Sequence, residues 1–109
     1  MKSSTIELMG VGPDKMALER AGRLRAIRER IHKIPSQRAF AAVLGVSQAR
    51  YNNWERGWPI PEDKVKQIKD LTPGLTGDWL LWGDQEGLTV EIARLLAQPR
   101  PGPPPRKHH

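Results

Sequence analysis

The stretch QRAFAAVLGVSQARYNNWERG, residues 37–57, carries the side chains best suited to a directed chemistry: the amides Gln48, Asn52 and Asn53, with Ala49, Arg50 and Arg56 among and after them. An amide presents a donor beside an acceptor, which matches the adenine edge in the major groove of a duplex, and each well-placed pair discriminates by roughly 1 to 3 kcal/mol. At helical spacing Tyr51 and Trp54 share one face, while Gln48, Ala49, Asn52, Asn53 and Arg56 share the opposite one. The two rings are therefore expected inside the core rather than stacked on bases.

Presenting such a face requires a short helix with defined ends. Ser47 is a good N-cap for it and Gly57 closes it. Just upstream, Phe40, Ala41 and Leu44 take the i, i+1, i+4 spacing of one helical face, and Gly45 supplies a residue that accepts a left-handed C-cap. The pattern predicts two short helices hinged at Gly45-Val46-Ser47.

In these residues the chain resembles the XRE-type helix-turn-helix family, the lambda-repressor-like and Cro-like DNA-binding proteins of phages and bacteria. Counted from Gln37, the family pattern asks for an amide first, Ala fifth, Gly ninth, a polar cap eleventh and large apolar residues fifteenth and eighteenth. The chain supplies Gln37, Ala41, Gly45, Ser47, Tyr51 and Trp54. Trp54-Glu55-Arg56-Gly57 matches the end of the motif, and Asp78-Trp79-Leu80-Leu81-Trp82-Gly83 resembles the family's closing helix, so the likeness runs over about residues 20 to 84.

The resemblance implies that Gln37 clamps a phosphate and braces Gln48, that Gln48, Ala49 and Asn53 meet base edges, and that Arg38 and Arg56 contact phosphates. Arg50 and Asn52 occupy positions the family uses less regularly. Glu55 would pair with an arginine of the first helix. Here Ile34-Pro35-Ser36 makes the approach to Gln37 slightly long, and both Arg28 and Arg30 are candidate partners. The family further implies a homodimer on a pseudo-palindromic operator, with half-sites about 34 Å apart, acting as a repressor that blocks polymerase. An antitoxin of the same fold and a protein-interaction regulator that has lost DNA binding are the alternatives. RNA binding lacks the exposed aromatic platform that unstacked bases need.

The whole chain has 109 residues, 38% of them hydrophobic, enough for one modest core. We expect an all-α, lambda-repressor-like domain of five helices with a possible sixth: a flexible arm over 1–13, the domain over 14–84, a possible helix within 85–98, and a disordered Pro-rich basic tail over 99–109. Asp14 should cap a first helix running to about Lys33, with Ala17, Ala21, Leu24, Ile27 and Ile31 inward. Ser36 should cap the next helix. Pro61-Glu62-Asp63 should open a fourth helix packed through Val65, Ile68 and Leu71, and Thr76 a fifth that turns Trp79, Leu80 and Trp82 onto the core. Leu88, Ile92, Leu95 and Leu96 line one side of a possible helix from Thr89 to Ala97, able to dock on its own domain or on a twin.

The net charge of +6 is uneven. Lys15 to Arg38 contains eight basic residues against Glu19 and Glu29, whereas Glu62 to Glu91 contains seven acids against Lys64, Lys66 and Lys69. Such asymmetry suits one oriented polyanion, although part of an arginine run normally faces only water. His32, alone near a helix end, should interact with terminal carbonyls. Without cysteine there is no disulfide framework or thiolate metal site, and no metal role is given to His108 or His109. No catalytic constellation or phosphate-binding glycine loop is recognisable, so neither enzyme activity nor a cofactor is expected. No segment has the run of apolar residues of a signal peptide or membrane span, so a cytoplasmic, nucleoid-associated protein is expected.

Overall fold

The computed structural model describes residues 14–98. The arm expected over 1–13 and the tail over 99–109, with His108 and His109, lie outside the described residues. Within them the fold is all-helical: α1 (Lys15–Ala26), running on as a π-helical turn over Ile27–Ile31, α2 (Gln37–Leu44), α3 (Gln48–Trp54), α4 (Glu62–Asp70), α5 (Gly77–Trp82) and α6 (Val90–Ala97).

Most helix starts are written in the sequence as caps, because a short polar side chain satisfies a backbone N–H that the first turn leaves unpaired. Asp14 accepts from Ala17 N at 2.9 Å, Ser36 from Ala39 N at 3.1 Å, Ser47 from Arg50 N at 3.1 Å, Thr76 from Trp79 N at 3.0 Å and Thr89 from Ile92 N at 3.2 Å. Gly45 ends α2 at φ 75°, with Val46 N on Ala41 O and Gly45 N on Ala42 O. That is the bonding of a Schellman turn, and it redirects the chain into α3 within three residues.

Phe40, Tyr51 and Trp54 form an edge-to-face stack with centroid separations of 5.5 and 5.8 Å. Leu24 and Ile27 from the first helix, Leu44, Ile68, Trp79, Leu80 and Ile92 complete the core around it. Here α6 docks on its own domain: Ile92 is buried, Leu88, Leu95 and Leu96 pack against the core, and the Leu96 carbonyl accepts from Arg30 Nη1 at 2.6 Å.

Several expectations need correction. The first helix does not stay α-helical to Lys33. It widens at Ile27–Ile31, where His32 N reaches back five residues to Ile27 O, and Lys33 ends it at φ 58°. This wider winding takes up the extra length noticed before Gln37. Trp82 is 65% exposed and Leu71 is 40% exposed, so neither packs the core. Each is the last or next residue of a short helix, where the turn has already swung away from the core, and Thr72 is buried beside Leu71 instead. His32 bonds through Nε2 to Thr72 Oγ1 at 2.9 Å and lies 5.4 Å from the Phe40 ring, rather than serving terminal carbonyls.

Candidate nucleic-acid interface

Tyr51 and Trp54 are 0% and 3% exposed, so they fix the rotation of α3 about its axis. The opposite face is then outward: Gln48, Ala49 and Arg50 are exposed, Asn52 and Asn53 half-exposed, and Arg56 exposed just past the helix end. The Arg50 guanidinium sits 5.6 Å from the Trp54 ring centroid, a cation–π contact that gives this long side chain a preferred direction. The motif residues Ala41, Gly45 and Ser47 hold the inner face, the turn and the cap respectively.

Behind this face lies a buried polar node. Glu55, 1% exposed, is held by Arg28, whose Nε donates to Oε2 at 2.8 Å and whose Nη2 donates to Oε1 at 3.1 Å. The choice between Arg28 and Arg30 is thus resolved in favour of Arg28; Arg30 instead caps the α6 C-terminus. The Tyr51 hydroxyl also donates to Oε2. Burial works against the charge of Glu55, yet the hydrogen bonds from Arg28, Tyr51 and Gln37 hold its carboxyl below the usual value. Burial and the neighbouring carboxylate push the Tyr51 phenol up, so it stays a donor.

Gln37 is half-buried, and its Nε2 donates to Glu55 Oε1 at 3.0 Å. One donor of its amide is therefore engaged by Glu55. Arg38 is exposed beside it on the first turn of α2.

The arginines of α1 have mostly another task. Arg20 Nη2 donates to Gly57 O at 3.0 Å, and Arg23 donates from Nε to Leu80 O at 2.9 Å and from Nη2 to Leu81 O at 3.0 Å. Guanidinium forks of this kind satisfy carbonyls that helix ends leave unpaired. Much of the positive charge of α1 thus fastens the ends of other helices, while Arg38, Arg50 and Arg56, within residues 37–57, are exposed. Sequence reasoning also missed Arg25, whose Nε lies 3.3 Å from Glu55 Oε1. The available signal was its three-residue spacing from Arg28, which puts both on one side of the helix.

The helix-turn-helix family model matches residues 24–65, spanning the π-turn, α2, α3 and the start of α4. No curated protein and no solved structure matches the chain. No helix among the described residues is long and apolar enough to cross a membrane.

Proposed function

We propose, on the premise that this chain belongs to the XRE-type helix-turn-helix family, that it is a sequence-specific regulator of transcription which reads duplex DNA as a homodimer. In this reading α3 enters the major groove, Gln48, Ala49 and Asn53 meet base edges with Arg50 and Asn52 alongside, and Gln37, Arg38 and Arg56 fix the register on phosphates. One short helix covers only a few base pairs, and a second copy about one helical turn away supplies the remaining specificity. Occupying a promoter then excludes polymerase, which makes repression the proposed outcome.

The observation carrying this reading is the division of α3 into a buried aromatic face and an outward amide face. Binding should be compared between a duplex footprinted upstream of the protein's own gene and a random duplex, for the native chain and for a Gln48→Ala, Asn53→Ala variant. The variant should lose affinity for the first, by tenfold or more at roughly 1 to 3 kcal/mol per amide, and retain affinity for the second. Equal losses on both duplexes would refute base readout.

A further inference from the structure

Glu55 is offered more donors than a carboxylate can accept. Oε2 takes Arg28 Nε and the Tyr51 hydroxyl, while Oε1 faces Gln37 Nε2 at 3.0 Å, Arg28 Nη2 at 3.1 Å and Arg25 Nε at 3.3 Å. A carboxylate has about four lone-pair sites, so the three donors on Oε1 compete for about two of them. Arg28 cannot yield, since it is 4% exposed and its Nη1 also donates to the carbonyls of Ile34 and Pro35. The surplus donors are those of Arg25 and Gln37.

Arg25 differs from its neighbours on α1. Arg20, Arg23 and Arg30 are committed to carbonyls, whereas the Arg25 side chain is 35% exposed and is bonded, among the described residues, through Nε alone. Its two Nη groups are the donors left for a further acceptor. Arg25 and Arg28 share the single carboxylate of Glu55, and Glu29 stands 3.6 Å from Arg28 Nη2. Because Arg25 and Gln37 share one oxygen atom, a single small anion can reach both.

We propose that Arg25 and Gln37 together bind one backbone phosphate of the duplex. Glu55 holds the guanidinium by Nε, the Nη groups donate to the phosphate, and Gln37 turns its amide from Oε1 to the same phosphate, relieving the crowding there. This rests on the reading that the chain binds duplex DNA, and it assigns α1 a direct contact with the ligand.

Phosphate contact is independent of sequence, so a random-sequence duplex is a sufficient probe. Its affinity should be measured against salt for the native chain, Arg25→Gln and Arg25→Lys. The glutamine variant should lower the slope of log K against log salt by about 0.9, one released counterion, while the lysine variant keeps the slope. Arg25→Met, which preserves the apolar stem, replaces the glutamine variant if that one melts early. A native slope that the neutral variants leave unchanged overturns the proposal and spares the DNA-binding reading. A native chain without salt-dependent duplex binding overturns both.

Discussion

Arg28 and Glu55 are joined by a bidentate pair, Nε to Oε2 at 2.8 Å and Nη2 to Oε1 at 3.1 Å, with side-chain exposures of 4% and 1%. The remaining nitrogen, Nη1, donates to Ile34 O at 3.2 Å and Pro35 O at 2.6 Å. One guanidinium therefore ties the loop that enters α2 to the end of α3, setting both ends of the helix-turn-helix. Burial would discharge Arg28, but the hydrogen bonds and charge of Glu55 more than offset it and hold its pKa up. Arg28→Met removes the bidentate partner of a buried carboxylate, leaving it Arg25, Gln37 and Tyr51, and should destabilise by up to about 3 to 5 kcal/mol in urea unfolding. Arg28→Lys should recover little, because an ammonium cannot span both oxygens and the loop carbonyls. A double Arg28→Met, Glu55→Met variant should be more stable than the single one, since the buried carboxylate leaves together with its bidentate partner.

The four tryptophans divide into two classes. Trp54 and Trp79 are 3% and 8% exposed, against 56% for Trp58 and 65% for Trp82. Trp54→Ala should cost about 3 to 5 kcal/mol, whereas Trp58→Ala and Trp82→Ala should stay within about 0.5 kcal/mol. Iodide quenching checks the same partition: a Trp58→Phe, Trp82→Phe variant should lose most of the quenchable emission. Equal quenching of that variant and the native chain would contradict the arrangement.

What the sequence discloses here depends on the range of the interaction. Caps at Asp14, Ser36, Ser47 and Thr76 are local, and all four stand where the pattern put them, while Thr89, expected as the first residue of its helix, is the cap one position before it. The inward rings of α3 follow from periodicity in the same way. Trp82 and Leu71 fail because apolar type alone does not say where a short helix stops facing the core. The α1 arginines are the larger lesson: Arg20 and Gly57 are 37 positions apart, Arg23 and Leu80 57. A charge run cannot reveal partners that only the fold brings near. The excess length before Gln37 was legible, but the π-turn at Ile27–Ile31 was not.

Acid should weaken the fold in two stages. Burial holds the His32 pKa below 6.5. The unfolded chain therefore takes up the proton first, and stability complete above pH 6.5 declines as pH falls from there through the lower folded value. Thr72 Oγ1 donates to Ile68 O, so it receives its bond from His32 Nε2–H. Glu55, depressed below 4.5, adds stability that is present above 4.5 and is lost as pH falls through its folded value. Urea midpoints followed against pH should show both stages, and His32→Gln should flatten only the upper one. An unchanged upper stage in that variant would assign the effect to another group.

Gly45 and Gly74 both adopt left-handed backbone, φ 75° and 93°, yet a methyl group should affect them unequally. At Gly45 an added Cβ meets nothing within 4 Å, leaving only backbone strain of about 1 to 2 kcal/mol. At Gly74 the same atom would come within 2.4 Å of Thr89 Oγ1 and 2.9 Å of Ile92 Cγ1. Thr89 Oγ1 is the cap of α6, and Thr89 N donates to Gly74 O at 3.2 Å, so the methyl group strikes the joint by which α6 is docked. Gly74→Ala should therefore destabilise more than Gly45→Ala, and its hydrogen exchange should quicken first in Val90–Ala97, with the amides of α2 and α3 little changed. Should the α6 amides of Gly74→Ala stay as protected as in the native chain, the helix does not depend on this contact and its docking rests on Ile92, Leu95 and Leu96 with Arg30.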